Sequence, residues 1–412
     1  MPKKMRFAWW RAVLTVIGLM QGFPALAADS LRVDGGRMGV SVGGSWSYLM
    51  PKGSHNKRVI HTNDVGYLDA RFSWKPRVAT ASDRALNDPT LEAGLLVGDF
   101  THIHMQDPDR SRPSRVGREV AAYVGIQYDF LHLGRWRAGL NVQNGLAYFT
   151  ERYSPDRNPD NELIGAPLSI YIALGPYIAY RLPSQWELAL GADFRHVSNG
   201  TVWRPNLGAN TVGPMVRLTA PVGRPAADAP PHSQGNPAPQ TEETVGPLYL
   251  ELSAGMAAST LRDEFIANRS THTTLFGSPI AMAAPMYRYS QAMASGIELD
   301  YAYSTYANHI RDYDLRTGHT DYRYSRHVVG LGFRHEIFYR NFSLHCGIGK
   351  YLYRRMGHIA ETQDGGNYQT IGLRYSLPFA TERLFVGYNV KAHNFSKADC
   401  MQFHIGYRLG LL

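Results

Sequence analysis

One stretch of the chain combines residue types that could do chemistry: Arg195-His196-Val197-Ser198-Asn199-Gly200, followed by Arg204-Pro205-Asn206-Leu207-Gly208-Ala209-Asn210. A serine hydroxyl must lose its proton to act as a nucleophile, and a neutral imidazole within hydrogen-bond reach is the usual acceptor. His196 and Ser198 lie two apart, so on an extended strand both project from one face. The imidazole needs a third group to fix its tautomer, and an Asn side chain can supply it, as in proteases built on Cys, His and Asn. Asn210 opens the next strand and can come beside His196 across an antiparallel hairpin. The same spacing also fits an interfacial hairpin tip whose His and Ser only meet lipid headgroups.

The elements that must position these groups read as strands. In Trp186, Leu188, Leu190, Ala192 and Phe194 the even positions are apolar, while Glu187, Gly191, Asp193 and Arg195 fill the odd ones. Strand side chains alternate faces, so one face is greasy and the other charged or small. The pattern repeats in Val120 to Tyr128, Leu168 to Ile178, Leu384 to Val390 and Phe403 to Leu409. Apolar outward and polar inward over about ten residues is the signature of a transmembrane β-barrel. A soluble β-sandwich with one wet face fits less well, because strand after strand sets charge beside small residues on the non-apolar side. His196 and Ser198 continue the lipid-facing row, where a polar pair is costly unless it serves a purpose.

The fold class expected is therefore all-β: an antiparallel outer-membrane barrel. Strands are expected near 37–49, 65–75, 93–102, 118–130, 135–148, 167–182, 185–198 and 210–220, then near 247–259, 277–288, 292–304, 325–338, 341–353, 368–377, 383–394 and 401–411. That makes sixteen, or fourteen if 277–288 is not a strand, and the pattern leaves open one large barrel or two related eight-stranded ones. Short turns near 131–135, 182–185, 338–341 and 378–383 alternate with long polar loops near 103–117, 150–166, 305–324 and 355–367. Short turns belong to the periplasm and long loops to the exterior, so the hairpin after His196 is expected at the external rim.

Four segments follow: a signal peptide over 1–27, an N-terminal barrel half over 28–220 carrying the site, a Pro-rich periplasmic linker over 221–246, and a C-terminal barrel half over 247–412. The first rests on Lys3, Lys4 and Arg6, the apolar stretch from Phe7, and Ala25-Leu26-Ala27. Beyond it no apolar run is long enough to cross a bilayer as a helix. Only Cys346 and Cys400 are present, so at most one disulfide could form, and a buried free pair is expected. The net charge of +9 suits an anionic surface or ligand, while nucleic acid is disfavoured because no basic cluster interleaved with aromatics occurs.

At the segment His196-x-Ser198-Asn199-Gly200, with Pro205-Asn206 and Gly208-x-Asn210, the sequence resembles the lipid A 3-O-deacylases, more loosely acyloxyacyl hydrolases, over roughly 93–220. These are outer-membrane enzymes that remove an ester-linked acyl chain from lipid A. The resemblance implies Ser198 as nucleophile, His196 as base, and Asn199, Gly200 and Asn206 around the oxyanion. It also implies lipid A of lipopolysaccharide as the membrane partner, with neither metal nor organic cofactor. The best-known members carry a glutamate as the third triad residue; this chain has Asn210, as does the longer branch that it most resembles. Asn orients His but cannot stabilise the imidazolium by charge.

Other features are weaker. His102-x-His104 lacks a nearby third metal ligand, Asn199-Gly200-Thr201 fits a glycosylation sequon inside the proposed site, and 107–118 reads as a solvated loop. By parity His393 points inward, so the second half is expected to be scaffold. Arg195 and Arg204 are candidates to meet headgroup phosphates. Two rival functions stand beside the esterase: a porin-like barrel indifferent to Ser198→Ala, and a non-catalytic lipopolysaccharide binder.

Overall fold

A computed structural model describes residues 37–51, 53–76, 79–109, 113–222, 246–269, 273–380, 383–395 and 397–411. The expected signal peptide and all but the ends of the 221–246 connector lie outside the described residues.

Alternating sequence becomes sixteen antiparallel strands. The first eight are β1 (Arg37–Leu49), β2 (Asp64–Lys75), β3 (Thr90–Phe100), β4 (Gly117–Leu133), β5 (Trp136–Phe149), β6 (Leu168–Arg181), β7 (Glu187–Ser198) and β8 (Ala209–Val222). They close into one barrel, because β1 pairs with both β2 and β8. The second eight are β9 (Leu248–Thr260), β10 (Leu275–Ser290), β11 (Met293–Tyr303), β12 (Tyr324–Tyr339), β13 (Phe342–Met356), β14 (Asn367–Ser376), β15 (Leu384–His393) and β16 (Lys397–Gly410). They close separately through β9, which pairs with β10 and β16. Of the two arrangements that the pattern left open, one large barrel or two eight-stranded ones, the chain forms the second. The doubtful strand at 277–288 is present and longer than expected, and β8 runs through Val222 into the region read as linker.

Closure leaves no unpaired edge among these strands, which a bilayer core would penalise. The outer wall carries the apolar parity: Leu190, Ile178, Phe333 and Ile348 are all more than half exposed. Eight strands enclose a lumen narrow enough for side chains to fill. In the first barrel Arg71 bonds Asp69 at 2.7 Å and Glu92 at 3.0 Å, and Arg137 bridges Asp129 and Glu187. In the second, Arg334, Arg374 and Arg408 share Glu251 and Glu336 over 2.6–3.3 Å. These inward charges are paired, as burial demands.

Connections at one end of the barrels include the short turns and both edges of the 223–245 segment; the loops after β1, β3, β5, β9, β11 and β13 gather at the other end, beside the close of β7. There helix α1 (Gly53–Val59) and the loop residues 101–109, 113–116 and 150–167 fold together. Arg58 pairs with Asp107, Asp160 accepts from the Asp107 N–H at 3.2 Å, and the Asn158 side chain bonds the Arg115 carbonyl at 2.9 Å. Among the described residues of the stretch read as a solvated loop, Asp107, Ser114 and Val116 are buried in this cap, while Asp109, Arg115 and Arg118 are exposed. At the opposite end helix α2 (Ala81–Ala85) reaches from the first barrel to the second, where Asp83 pairs with Arg340 at 2.9 Å. Both cysteines are free; Cys400 is buried but Cys346, on the outward row of β13, is only half-buried, so the expected buried pair does not form.

Candidate active site

β7 brings the chemistry to the outer wall. Its residues alternate buried and exposed from Glu187, with Leu188, Leu190, Ala192 and Phe194 outward, and His196 and Ser198 extend that outward row as half-buried side chains. β8 is registered so that Asn210 stands directly opposite His196. On the other side β6 sets Ile172 opposite His196 and Ile170 opposite Ser198, giving the polar pair an apolar flank.

The three side chains form one line of hydrogen bonds. His196 Nε2 lies 2.9 Å from Ser198 Oγ, and Nδ1 lies 2.7 Å from Asn210 Oδ1. An amide oxygen only accepts, so Nδ1 carries the proton and donates it to Asn210. Nε2 is then the lone-pair nitrogen facing the hydroxyl, which is the tautomer a general base requires. Asp193, two residues before Arg195, sits in the lumen paired with that arginine at 2.6 Å, on the face away from His196.

The loop from Asn199 to Gly208 frames the pair. Asn199 is buried and turns the chain by accepting from the Thr201 and Trp203 N–H groups at 3.1 and 3.3 Å. Its own N–H donates to Asn206 Oδ1 at 3.0 Å, which fixes the Asn206 amide with Nδ2 directed away from Asn199. Gly208, at φ +72°, lies against the hydrogen-bonded pair: a Cβ there would come within 3.3 Å of both His196 Cε1 and Ser198 Cβ. Gly200, at φ +61°, lies against the second barrel, where a Cβ would collide with the Met401 side chain. Only glycine accepts such φ values without strain while leaving this space.

Of the residues singled out from sequence, His196, Ser198 and Asn210 are in contact, and Asn199, Gly200 and Asn206 line the adjoining loop. The two arginines offered as headgroup cations are placed elsewhere. Arg195 has odd parity and lies in the lumen, bonded to Asp193 and Ser45 and stacked on Tyr67 at 4.3 Å. Arg204 donates to the Thr260 carbonyl of the second barrel at 2.9 Å, and burial together with nearby Arg262 pushes its guanidinium down to about 10. His393 points inward as its parity requires, buried and 3.0 Å from the Tyr351 hydroxyl. The contribution of Met401 was hidden from sequence reasoning, since it carries ordinary lipid-facing parity.

Two family models match the chain: lipid A 3-O-deacylase (PagL) over residues 66–219, and the acyloxyacyl hydrolase C-terminal domain over residues 249–411. No curated protein matches. Among solved structures, the outer membrane enzyme PagL is 14% identical, covering 43% of this chain and 97% of its own, with a TM-score of 0.27. Neisserial surface protein A is 9% identical, covering 44% and 96%, also at 0.27. OccK11 of Pseudomonas aeruginosa is 9% identical, covering 92% and 96%, at 0.19. With one family model on each barrel and most of the strand-forming chain matched between them, the chain belongs to the lipid A 3-O-deacylase and acyloxyacyl hydrolase family.

Proposed function

We propose that this protein is an outer-membrane serine esterase that removes an ester-linked hydroxyacyl chain, the 3-O chain, from lipid A of lipopolysaccharide. The observation that carries the reading is the Ser198–His196–Asn210 line on the outer wall, where a lipid reaches it laterally from the outer leaflet. His196 Nε2 takes the Ser198 proton as Oγ attacks the ester carbonyl. The tetrahedral intermediate collapses when Nε2–H gives that proton to the departing sugar oxygen, leaving an acyl-serine. Water, deprotonated by the same nitrogen, then releases the hydroxy fatty acid and restores Ser198. Asn210 holds the tautomer throughout.

The Asn206 amide and the Gly200 N–H are the donors we assign to the oxyanion, with Asn199 positioning Asn206 through its own N–H. No metal or organic cofactor takes part in this scheme. The long-loop end, which carries the site, is assigned to the cell exterior. The filled lumens favour this reading over a porin-like one. A fluorophosphonate probe tests the nucleophile: it should label Ser198 in the folded wild type and lose labelling in His196→Ala. Equal labelling of Ser198→Ala would overturn the assignment.

A further inference from the structure

The two barrels touch at the top, through the loop after β7, and lower down, where β15 meets β5. At the top the loop after β7 meets the second barrel: Thr201 Oγ1 donates to the Asp399 carbonyl at 3.1 Å, the Thr260 N–H donates to the Thr201 carbonyl at 2.9 Å, and Gly200 rests on Met401. Lower down, the Tyr388 hydroxyl on β15 donates to Asn144 Oδ1 on β5 at 3.1 Å. With β7 bound to the β16–β9 edge and β5 bound to β15, the strands left facing each other are β6 and β16. Met401 is outward by parity yet only 6% exposed, because the loop covers it; the next outward residues, Phe403 and Ile405, return to about half exposure at 49% and 51%. The first barrel therefore leaves Phe403 and Ile405 uncovered.

Beside these residues lies an apolar hollow on the outer wall of the second barrel. Met256, Leu373, Val386, Tyr388, Phe403 and Ile405, with Ala254, line this open hollow of about 620 Å³. That is within the range of sites that hold elongated small ligands. Phe403 and Ile405 follow Met401 by two and four residues, so the hollow lies roughly 7–13 Å along the strand from the Gly200 contact, toward the membrane interior. On the first barrel the outward residues descending from the site are Ile172 and Leu174 of β6 and Phe194 of β7. An ester presented to Ser198 at the rim thus has its chain directed along these outward apolar rows, beside the hollow on the second barrel.

We propose that this hollow on β14, β15, β16 and β9 is an acyl-chain subsite, and that the second barrel sets which chain length is accepted. The proposal rests on the esterase reading for its link to turnover, but occupancy of the hollow can be read without turnover. Its occupant is a fatty-acyl chain of the same lipid that offers its ester to Ser198. The second barrel then acts as the outer jaw of the site and not as scaffold alone.

The test uses the full chain in proteoliposomes with lipid A analogues carrying decanoyl or tetradecanoyl esters, some bearing a diazirine at the chain end. Ala254→Trp fills the hollow; Leu331→Trp adds the same side chain on the outer face of β12, four strands from β16 around the closed barrel. Both sites face lipid, so neither change disturbs the lumen. Ala254→Trp should shift the preference roughly tenfold toward the shorter chain while Leu331→Trp leaves it unchanged. In the Ser198→Ala background the diazirine should label 256, 403 or 405. Turnover with identical selectivity in both Trp variants, and label confined to the first barrel, would overturn the subsite while leaving the esterase intact. Label in the hollow with no turnover by the wild type would support the subsite and sink the esterase reading instead.

Discussion

Replacing Asn210 by aspartate changes charge at the third position of the line while keeping its shape. Asn210 Oδ1 lies 2.7 Å from His196 Nδ1, and the Asp carboxylate places an oxygen at the same point without the extra methylene of glutamate. In the resting enzyme both side chains accept the same N–H. They differ when Ser198 gives up its proton and the ring becomes imidazolium, since only the carboxylate answers that charge. A neutral hydrogen bond contributes about 1 kcal/mol and one to a charged group about 1.5–3 kcal/mol. The difference of about 1.4 kcal/mol is a factor of about ten in rate. The assay is single-turnover release of hydroxy fatty acid from lipid A in proteoliposomes, with Asn210→Ala as the comparison that removes orientation altogether. The expected order is Asp above Asn, and Asn well above Ala. An Asp variant no faster than Ala would refute the claim that Asn210 acts by accepting from Nδ1.

Further outcomes follow from the same geometry. Asn206→Ala removes the amide assigned to the oxyanion and leaves the Asn199 N–H unanswered, so kcat should fall by about 10²–10³ with lipid binding retained, read by parallel turnover and binding measurements. Planar-bilayer recordings should show no steady open pore, since both lumens are filled by ion-paired arginines; a stable conductance would revive the porin-like reading. At the opposite end, burial would raise Asp83, but bonds from Thr80 and Arg340 hold it below the usual carboxylate range. A depressed folded value means this barrel-to-barrel contact is at full strength above the ordinary carboxylate pKa and is lost as pH falls through the folded value. Spin labels at positions 87 and 341 should therefore report a broadened distance only below about pH 4, and Asp83→Asn should broaden it at neutral pH.

Much of this molecule is legible in one dimension because a strand side chain has two choices of side. Parity alone puts His196 and Ser198 on the lipid face, Asp193 and Arg195 in the lumen, and Asn210 across from His196. The number of barrels is not legible, because β8 and β9 carry the same alternation whether they pair with each other or each turns back to its own barrel. Lipid-facing and protein-facing contacts are also written in one alphabet. Met401, Tyr388 and Asn144 occupy outward positions like any other, and only the folded arrangement shows the partner barrel there. Arg204 illustrates the same limit in a loop: a cation at a membrane rim suggests a phosphate, while its actual acceptor is the Thr260 carbonyl, some fifty residues along. Gly208 stood in the sequence motif without a role until the space beside His196 Cε1 and Ser198 Cβ gave it one.

The central claim is that Ser198 cleaves an acyl ester of lipid A, and mass spectrometry of lipid A from cells making the wild type or Ser198→Ala tests it most directly. Loss of one hydroxyacyl chain is expected with the wild type, and intact lipid A with Ser198→Ala at equal levels of folded barrel. Intact lipid A in both would contradict it and favour the lipopolysaccharide-binding reading, and equal loss in both would place the chemistry on another residue.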